Sequence, residues 1–318
     1  MKRLIVVVII LLVGIAATGF WWTNGLLPAN TKDKTPVIFV VNKGEGVREI
    51  ANHLKSEKLI RDPIVFFLLT RMQGSDKQIQ AGDFRINASL TTQEIASNLT
   101  HGTLDIWVTI PEGQRALEIA QSLKNKLPGY KASWDEELIK NEGYLFPDTY
   151  LIPRDADIKF IINLLTNNFK NKYSTLDASQ NGLTQNQVVI IASMVEREAK
   201  NDTDRPRIAS VILNRLNIGM KLDIDATIQY ALGYQPEQKR WWKKGLTTDD
   251  LKLNSLYNTY KVAGLPPTPI SNPGLASLNA VINPAKTNYL FYMTDSKGIN
   301  HYAETISQHN ENIKKFGL

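Results

Sequence analysis

The chain opens with an unbroken apolar run. From Leu4 to Trp22 (LIVVVIILLVGIAATGFWW), 19 residues carry no charge, close to the ~20 that a helix needs to cross a bilayer. Lys2-Arg3 precede the run and Trp21-Trp22 close it. This order matches a basic cytoplasmic flank and an interfacial aromatic belt. A cleaved signal peptide has a shorter apolar core and a small-residue cleavage site. Ala16-Ala17-Thr18 fits such a site loosely, and apolar residues continue past it. The pattern predicts an uncleaved anchor over residues 4–22, residues 1–3 in the cytoplasm and the remainder outside it. Residues 23–36 are mostly polar, hold Pro28 and Pro36, and predict a linker.

A repeat follows. Gly44-Glu-Gly-Val-Arg-Glu-Ile-Ala-Asn-His-Leu-Lys55 aligns with Gly113-Gln-Arg-Ala-Leu-Glu-Ile-Ala-Gln-Ser-Leu-Lys124, with six of twelve positions identical. Each copy follows a strand-like run, Val37–Val41 and Ile106–Ile110. Each continues through a Gly turn into a helix with apolar residues at three- and four-residue spacing. A third Glu-Ile-Ala-x-x-Leu stands at Glu94–Leu99 behind a capping Thr91-Thr92-Gln93. Asp62–Met72 predicts a helix and Gly82–Ile86 a short strand. Residues 37–150 therefore predict an α+β domain on a strand–turn–helix theme, either a packing repeat or a glycan-binding module.

Residues 151–318 differ. Ile158–Phe169, Gln185–Lys200 and Asp204–Leu216 have helical periodicity. Long irregular stretches follow, then a strand at Tyr289–Thr294, a hairpin partner near His301–Tyr302, and a helix at Ile306–Phe316. This predicts a mostly helical domain with a small β element, so the fold class as a whole is α+β.

Composition narrows the chemistry. There is no cysteine and there are four scattered histidines. Thiolate metal sites, disulfides and a cysteine nucleophile are excluded, and a histidine-built metal site is not expected. Of the net charge of +6, Lys2 and Arg3 account for two, which leaves +4 for the rest. That balance gives no argument for nucleic acid as a partner.

The most informative helix is Thr184–Lys200. Thr184 and Gln187 form a capping box. From Val188 to Val195 only Ser193 is polar, and a helix apolar on nearly all sides is buried. Glu196 follows directly and stacks over Ser193, Ala192 and Val189. Burial disfavours the charged form of a carboxyl, which suits a general acid. The plainer alternative is a solvated Glu-Arg-Glu turn. Two loops stand out as well. Glu142–Tyr150 holds three aromatics and two acids. Ser255–Tyr260 runs into Gly264–Gly274, with four prolines in eleven residues. Proline stiffens a loop, and rigid Tyr and Asn suit the faces and hydroxyls of a sugar. Trp241-Trp242, flanked by Lys239-Arg240 and Lys243-Lys244, is equally a glycan platform, a membrane-surface patch or a packing patch.

At this point the sequence resembles a known family. ASMVEREA (192–199), SVILNRLNIGMKL (210–222), YNTY (257–260), GLPPTPISNPG (264–274), HYAETISQHN (301–310), EGYLFPDTY (142–150) and the opening at 44–54 are similar to the YceG-like family, in order and over nearly the whole chain. The resemblance implies a membrane-anchored murein transglycosylase facing the cell wall, with a LysM-like part before the catalytic part. Peptidoglycan strands would be its substrate, peptidoglycan synthases possible partners, and no cofactor would be needed. It implies cleavage within the strand of the β-1,4 bond from N-acetylmuramic acid to N-acetylglucosamine, leaving a 1,6-anhydro end. The catalytic glutamate falls on Glu196. Tyr257, Asn258 and Tyr260 are candidates to line the cleft, with Asp148 and Tyr150 as weaker ones. The family pattern Gln-x-Asp-Pro-Thr reads Asp223-Ile-Asp225-Ala226-Thr227 here. This adds Asp225 and Thr227 as candidate binding residues, while Asp223 and Ala226 depart from the pattern. Two rival readings are a muramidase-type hydrolase with Asp223 or Asp225 as second carboxylate, and a non-catalytic wall-binding scaffold.

Overall fold

The computed structural model describes residues 2–100, 105–154, 156–178 and 182–317. Met1 of the expected cytoplasmic segment lies outside them. Helix α1 (Lys2–Leu26) is long and apolar enough to cross a membrane, with 6% of its Ile9–Leu26 window buried. A signal sequence near the N-terminus would pass the same test.

The chain divides into two compact units, residues 1–106 with 151–155, and residues 107–150 with 156–318. The expected boundary near residue 150 differs from this division. The second copy of the repeat and the Glu142–Tyr150 segment belong to the larger unit.

In the first unit, β1 (Val37–Val41) pairs antiparallel with β2 (Gly82–Ile86), Val37 opposite Ile86 and Val41 opposite Gly82. Alternate residues Phe39, Val41, Phe84 and Ile86 face the core, as a period of two requires. Helices α2 (Val47–Ser56), α3 (Pro63–Met72) and α4 (Thr92–Thr100) complete it through Ile50, Leu54, Phe66, Ile95 and Leu99. The expected linker is partly bound structure. α1 runs to Leu26, Trp21 Nε1 donates to Asp62 at 2.8 Å, and Thr92 Oγ1 donates to the Gly25 carbonyl at 2.8 Å. Gly25 permits this approach, because a Cβ there would sit 2.9 Å from Val65 Cβ.

The repeat has a local physical cause. In all three copies the glutamate turns back to cap its own helix: Glu49 accepts from Gly46 N–H, Glu94 from Thr91 N–H and Glu118 from Arg115 N–H, at 2.8–3.0 Å. The Ile, Ala and Leu of each copy are buried, the last three of them, Ile119, Ala120 and Leu123, in α5 (Ala116–Lys126). Strands β3 (Asp105–Ile110) and β4 (Asp148–Pro153) form a second two-stranded sheet.

The larger unit is built around α8 (Gln185–Glu198). Every residue from Val188 to Val195 is buried, and burying each large apolar side chain contributes roughly 1.5–3 kcal/mol. Helices α9 (Arg205–Asn217), α10 (Asp225–Leu232) and α11 (Leu275–Ile282) pack on α8. α7 (Ile158–Tyr173) joins this core through Phe169 and packs on α11, while α6 (Trp134–Ile139) packs against α5 and α7. An antiparallel hairpin, β5 (Phe291–Thr294) with β6 (Asn300–Ala303), packs against α12 (Ile306–Phe316). The sequence pattern left α6, α10, α11 and β4 in irregular regions. Each is eight residues or fewer, too short to display a period.

Candidate active site

The last turn of α8 delivers Glu196 with its side chain 5% exposed. Its oxygens meet donors rather than apolar side chains. Arg205 Nη2 reaches Oε1 at 3.1 Å and the main-chain N–H of Gly274 reaches Oε2 at 2.9 Å. Arg205 is itself held in place: Nε donates to Ser277 Oγ at 3.0 Å, and Nη1 pairs with Asp202. Gly274 is the N-cap of α11, so the positive end of that helix faces the carboxylate.

A second carboxyl stands beside the first. Glu112 reaches Gly274 from another side, and a Cβ added to Gly274 would overlap its carboxyl group. Any larger residue there requires the Glu112 side chain to swing aside. Burial, then the charge of Glu196, pushes the Glu112 carboxyl above the usual range, with Arg205 opposing. Glu112 carried no signal in the sequence, because it precedes the repeat without being part of it.

The two unusual loops prove to be one structure. Asn272 Oδ1 accepts from Gly143 N–H and Leu145 N–H, both at 2.9 Å. Its Nδ2 donates to Glu142 Oε1 at 2.9 Å and to the Gln114 carbonyl at 3.0 Å. Its backbone pairs with Gln114 and Gly113. The adjoining residues dock on α8: Ile270 N–H donates to Ser193 Oγ and Ser271 Oγ to the Ser193 carbonyl, both at 3.0 Å. The one polar residue inside the apolar helix thus anchors the proline-rich loop that ends at Gly274. Glu142 also accepts from Ala116 N–H at 2.9 Å. Burial pushes its carboxyl up to about 7, against the pull of that amide and of Arg115.

The other candidates are spread out. Asn258 is fully buried, and its amide is spent on the Leu251 and Leu253 carbonyls at 3.0 and 2.7 Å. It pins its own loop instead of lining a cleft. Thr227 is equally buried, bonded to the Ile224 carbonyl and Thr259. Tyr150 is in the core, with its hydroxyl on the Phe146 carbonyl at 2.6 Å. Asn168 links it to Asp148. Tyr257 is half-buried, its ring 4.9 Å from that of Tyr230 and its hydroxyl 2.6 Å from Thr268. Tyr260 donates to Asp225 at 2.6 Å. Asp223 pairs with Arg215 at 3.5 Å. The bonds of Asp223 and Asp225 go to Arg215 and Tyr260, not to the groups around Glu196.

The departure at Ala226 has a local explanation. Glu198, half-buried, accepts from Tyr292 Oη at 2.9 Å and from the main-chain N–H of Ala226. Proline has no N–H to give. Burial holds the Glu198 carboxyl above its usual range despite these donors. Among the described residues, no group of three or more His, Cys, Asp or Glu is arranged to hold a metal ion.

Comparison with known proteins adds a frame. The sequence pattern of the YceG-like family matches residues 39–315. An endolytic murein transglycosylase of Bacillus subtilis (strain 168) is 30% identical, over 93% of this chain and 89% of its own length. One from Streptococcus pneumoniae serotype 2 (strain D39) is 28% identical over 91% of this chain, which spans 60% of that protein. The crystal structure of a yceG-like protein from Listeria monocytogenes superposes with a TM-score of 0.57 at 27% identity, covering 87% of this chain and 99% of that one.

Proposed function

The chain belongs to the YceG-like family, and from that premise we propose that it is an endolytic murein transglycosylase in which Glu196 is the single general acid and base. The observation that carries this reading is the buried Glu196 carboxyl, fixed by Arg205 and the Gly274 amide with a second carboxyl, Glu112, beside it. Burial and the charge of Glu196 push the neighbouring Glu112 carboxyl above the usual range. Glu196 in its acid form passes its proton to the oxygen linking muramic acid to glucosamine, and the C1–O bond breaks. The substrate's own N-acetyl group stabilises the charge at C1. The C6 hydroxyl then gives its proton back to Glu196 while O6 bonds C1. The strand is cut internally, a 1,6-anhydro end is left and no water is consumed.

In this reading α1 is an uncleaved anchor in the cytoplasmic membrane, and the catalytic unit faces the wall on its outer side. The first unit is a LysM-like glycan-holding part. Synthases of nascent strands are the partners that such a cutter would follow.

A second reading draws on one observation. Glu112 supplies the second carboxyl that hydrolysis requires, a position that neither Asp223 nor Asp225 occupies. Digestion of purified sacculi by the full chain, with mass analysis of the product ends, separates the readings. Anhydro ends support transglycosylation, reducing ends support hydrolysis, and glycan bound but uncut supports a scaffold.

A further inference from the structure

Beside Glu196 lies a cavity that the reaction above does not use. Its volume is about 540 Å³, and its walls include Trp241, Trp242 and four cations: Arg197, Lys239, Arg240 and Lys244. The one carboxylate in the wall, Glu118, is already engaged by Arg115 N–H and Trp242 Nε1, both at 3.0 Å. The cavity is next to the acid by covalent connection, since Arg197 follows Glu196. By packing too, the Cβ position of Gly113 lies 3.4 Å from Glu196 Cγ and 3.3 Å from Arg197 Nη1.

Its cations are short of acceptors. The Arg197 guanidinium lies 3.8 Å over Trp242, with its buried Nε unpartnered among the described residues. Arg115, 6% exposed, is packed against Tyr230 at 4.1 Å, Trp241 at 5.0 Å and Trp242 at 5.6 Å. It donates Nη2 to the Tyr230 carbonyl, while Nε and Nη1 find no partner among the described residues. Unmet buried donors of a charged group are costly. An anion entering from the cavity would relieve the deficit at Arg197 directly and bring negative charge towards Arg115.

The rim is built, not incidental. Gln235 and Arg240 bridge across a turn, and Lys239 takes a left-handed conformation in it (φ 50°). Gln238 bonds both the N–H and the carbonyl of Lys244, at 2.8 and 3.1 Å. Lys243 is tied back to Asp250 at 2.6 Å, which leaves Lys239, Arg240 and Lys244 to face the cavity.

We infer that this tryptophan-walled cavity is a binding site for carboxylates on the peptide stems of the glycan strand. This rests on the glycan-cutting function proposed above. The sugar backbone of such a strand is uncharged, so a cationic pocket beside the cutting acid serves the part of the substrate that carries negative charge. Charge-assisted bonds from a guanidinium fork suit a carboxylate, and the indole faces hold the guanidinium of Arg197 in register.

The test uses the full chain in detergent with three substrates: strands bearing free-acid stems, strands with amidated stems, and strands stripped of stems. The wild type is expected to cut the free-acid strands roughly tenfold faster or more, a margin that one charge-assisted contact supplies. The triple variant Lys239→Asn/Arg240→Gln/Lys244→Gln is expected to bring that ratio near one. Asparagine is chosen at 239 because it tolerates the left-handed conformation. Equal rates on all three strands in the wild type, or an undiminished ratio in the triple variant, would overturn the inference. Tryptophan fluorescence of the Glu196→Gln chain, titrated with a free tetrapeptide stem, reads the pocket without any cutting. Saturable quenching that the triple variant loses supports the site even if no strand is cut, which would count against the catalytic reading alone. Absence of quenching, or displacement by inorganic pyrophosphate in preference to peptide, overturns it.

Discussion

The main-chain N–H of Gly274 donates to Glu196 Oε2 at 2.9 Å, across 78 positions of sequence. The acid therefore depends on a loop as much as on its own helix. The loop in turn is set by Asn272, which bonds the 113–114 and 142–145 segments, and by Ser193 of the acid's helix. Positioning of Glu196 is thus a property of four chain segments.

Glu196→Gln keeps the shape of the side chain and its bond from Gly274. Release of wall fragments is expected to fall by about 10²–10⁴, the range for loss of a general acid–base group. Far-ultraviolet circular dichroism should remain that of the wild type. Fragment release at wild-type rate would remove Glu196 from the mechanism.

Gly274→Ala places a methyl group where the Glu112 carboxyl lies. The Glu112 side chain must swing aside, so the second carboxyl beside Glu196 is displaced. A displacement near 1 Å at reacting groups costs up to roughly 10²-fold. We expect a loss of 10–100-fold in cutting rate by that principle, with wall fragments quantified by chromatography. An unchanged rate would show that the placing of Glu112 does not matter to the acid.

Asn272→Ala strands the N–H groups of Gly143 and Leu145 and removes a donor from Glu142, all in the interior. Each buried group left unpaired costs about 1–3 kcal/mol. Urea unfolding is expected to show at least ~3 kcal/mol of destabilisation. A loss below ~1 kcal/mol would contradict the role of Asn272 as the hub.

Glu142 titrates in the fold at about 7, above the 4.5 of an ordinary glutamate. Between these values the native state binds more protons than the unfolded state, so this group's contribution to stability is full below pH 4.5 and is lost as pH rises through 7. The span corresponds to about 3 kcal/mol. Glu142→Gln does not titrate. The stability of the wild type relative to Glu142→Gln should therefore fall by up to that amount from pH 4.5 to 8, measured by urea denaturation at each pH. A difference independent of pH would refute the assignment.

Ala226→Pro restores the residue common in the family. Position 226 is the second residue of α10, where the first turn accepts proline. The change nonetheless removes the N–H that Glu198 accepts. We expect destabilisation of about 1–2 kcal/mol, the worth of a bond to a charged or buried group, read as a lowered urea midpoint. A neutral or stabilising outcome would mean that Tyr292 alone satisfies Glu198.

What could be read in advance was local. The apolar run of α1, the periodic helices α2 and α5, the capped start of α4 and the capped, all-apolar stretch of α8 each depend on neighbours within a turn or two. The strand Gly82–Ile86 and the last helix near Ile306–Phe316 are legible in the same local way. The repeat of Glu-Ile-Ala-x-x-Leu was visible too, and its cause, a self-capping glutamate, is equally local.

The sequence by itself determined the longer periodic elements, the apolar N-terminal helix and the carboxyl at the end of the buried helix, because periodicity and capping act over a few residues. Only the tertiary structure decided that Asn258, Thr227 and Tyr150 serve the interior, that Glu112 joins Glu196, and that Asn272 ties the site together. The bonds of Asn272 span 127 to 158 positions, and nothing in one segment's pattern encodes which distant amide or carboxyl will meet it.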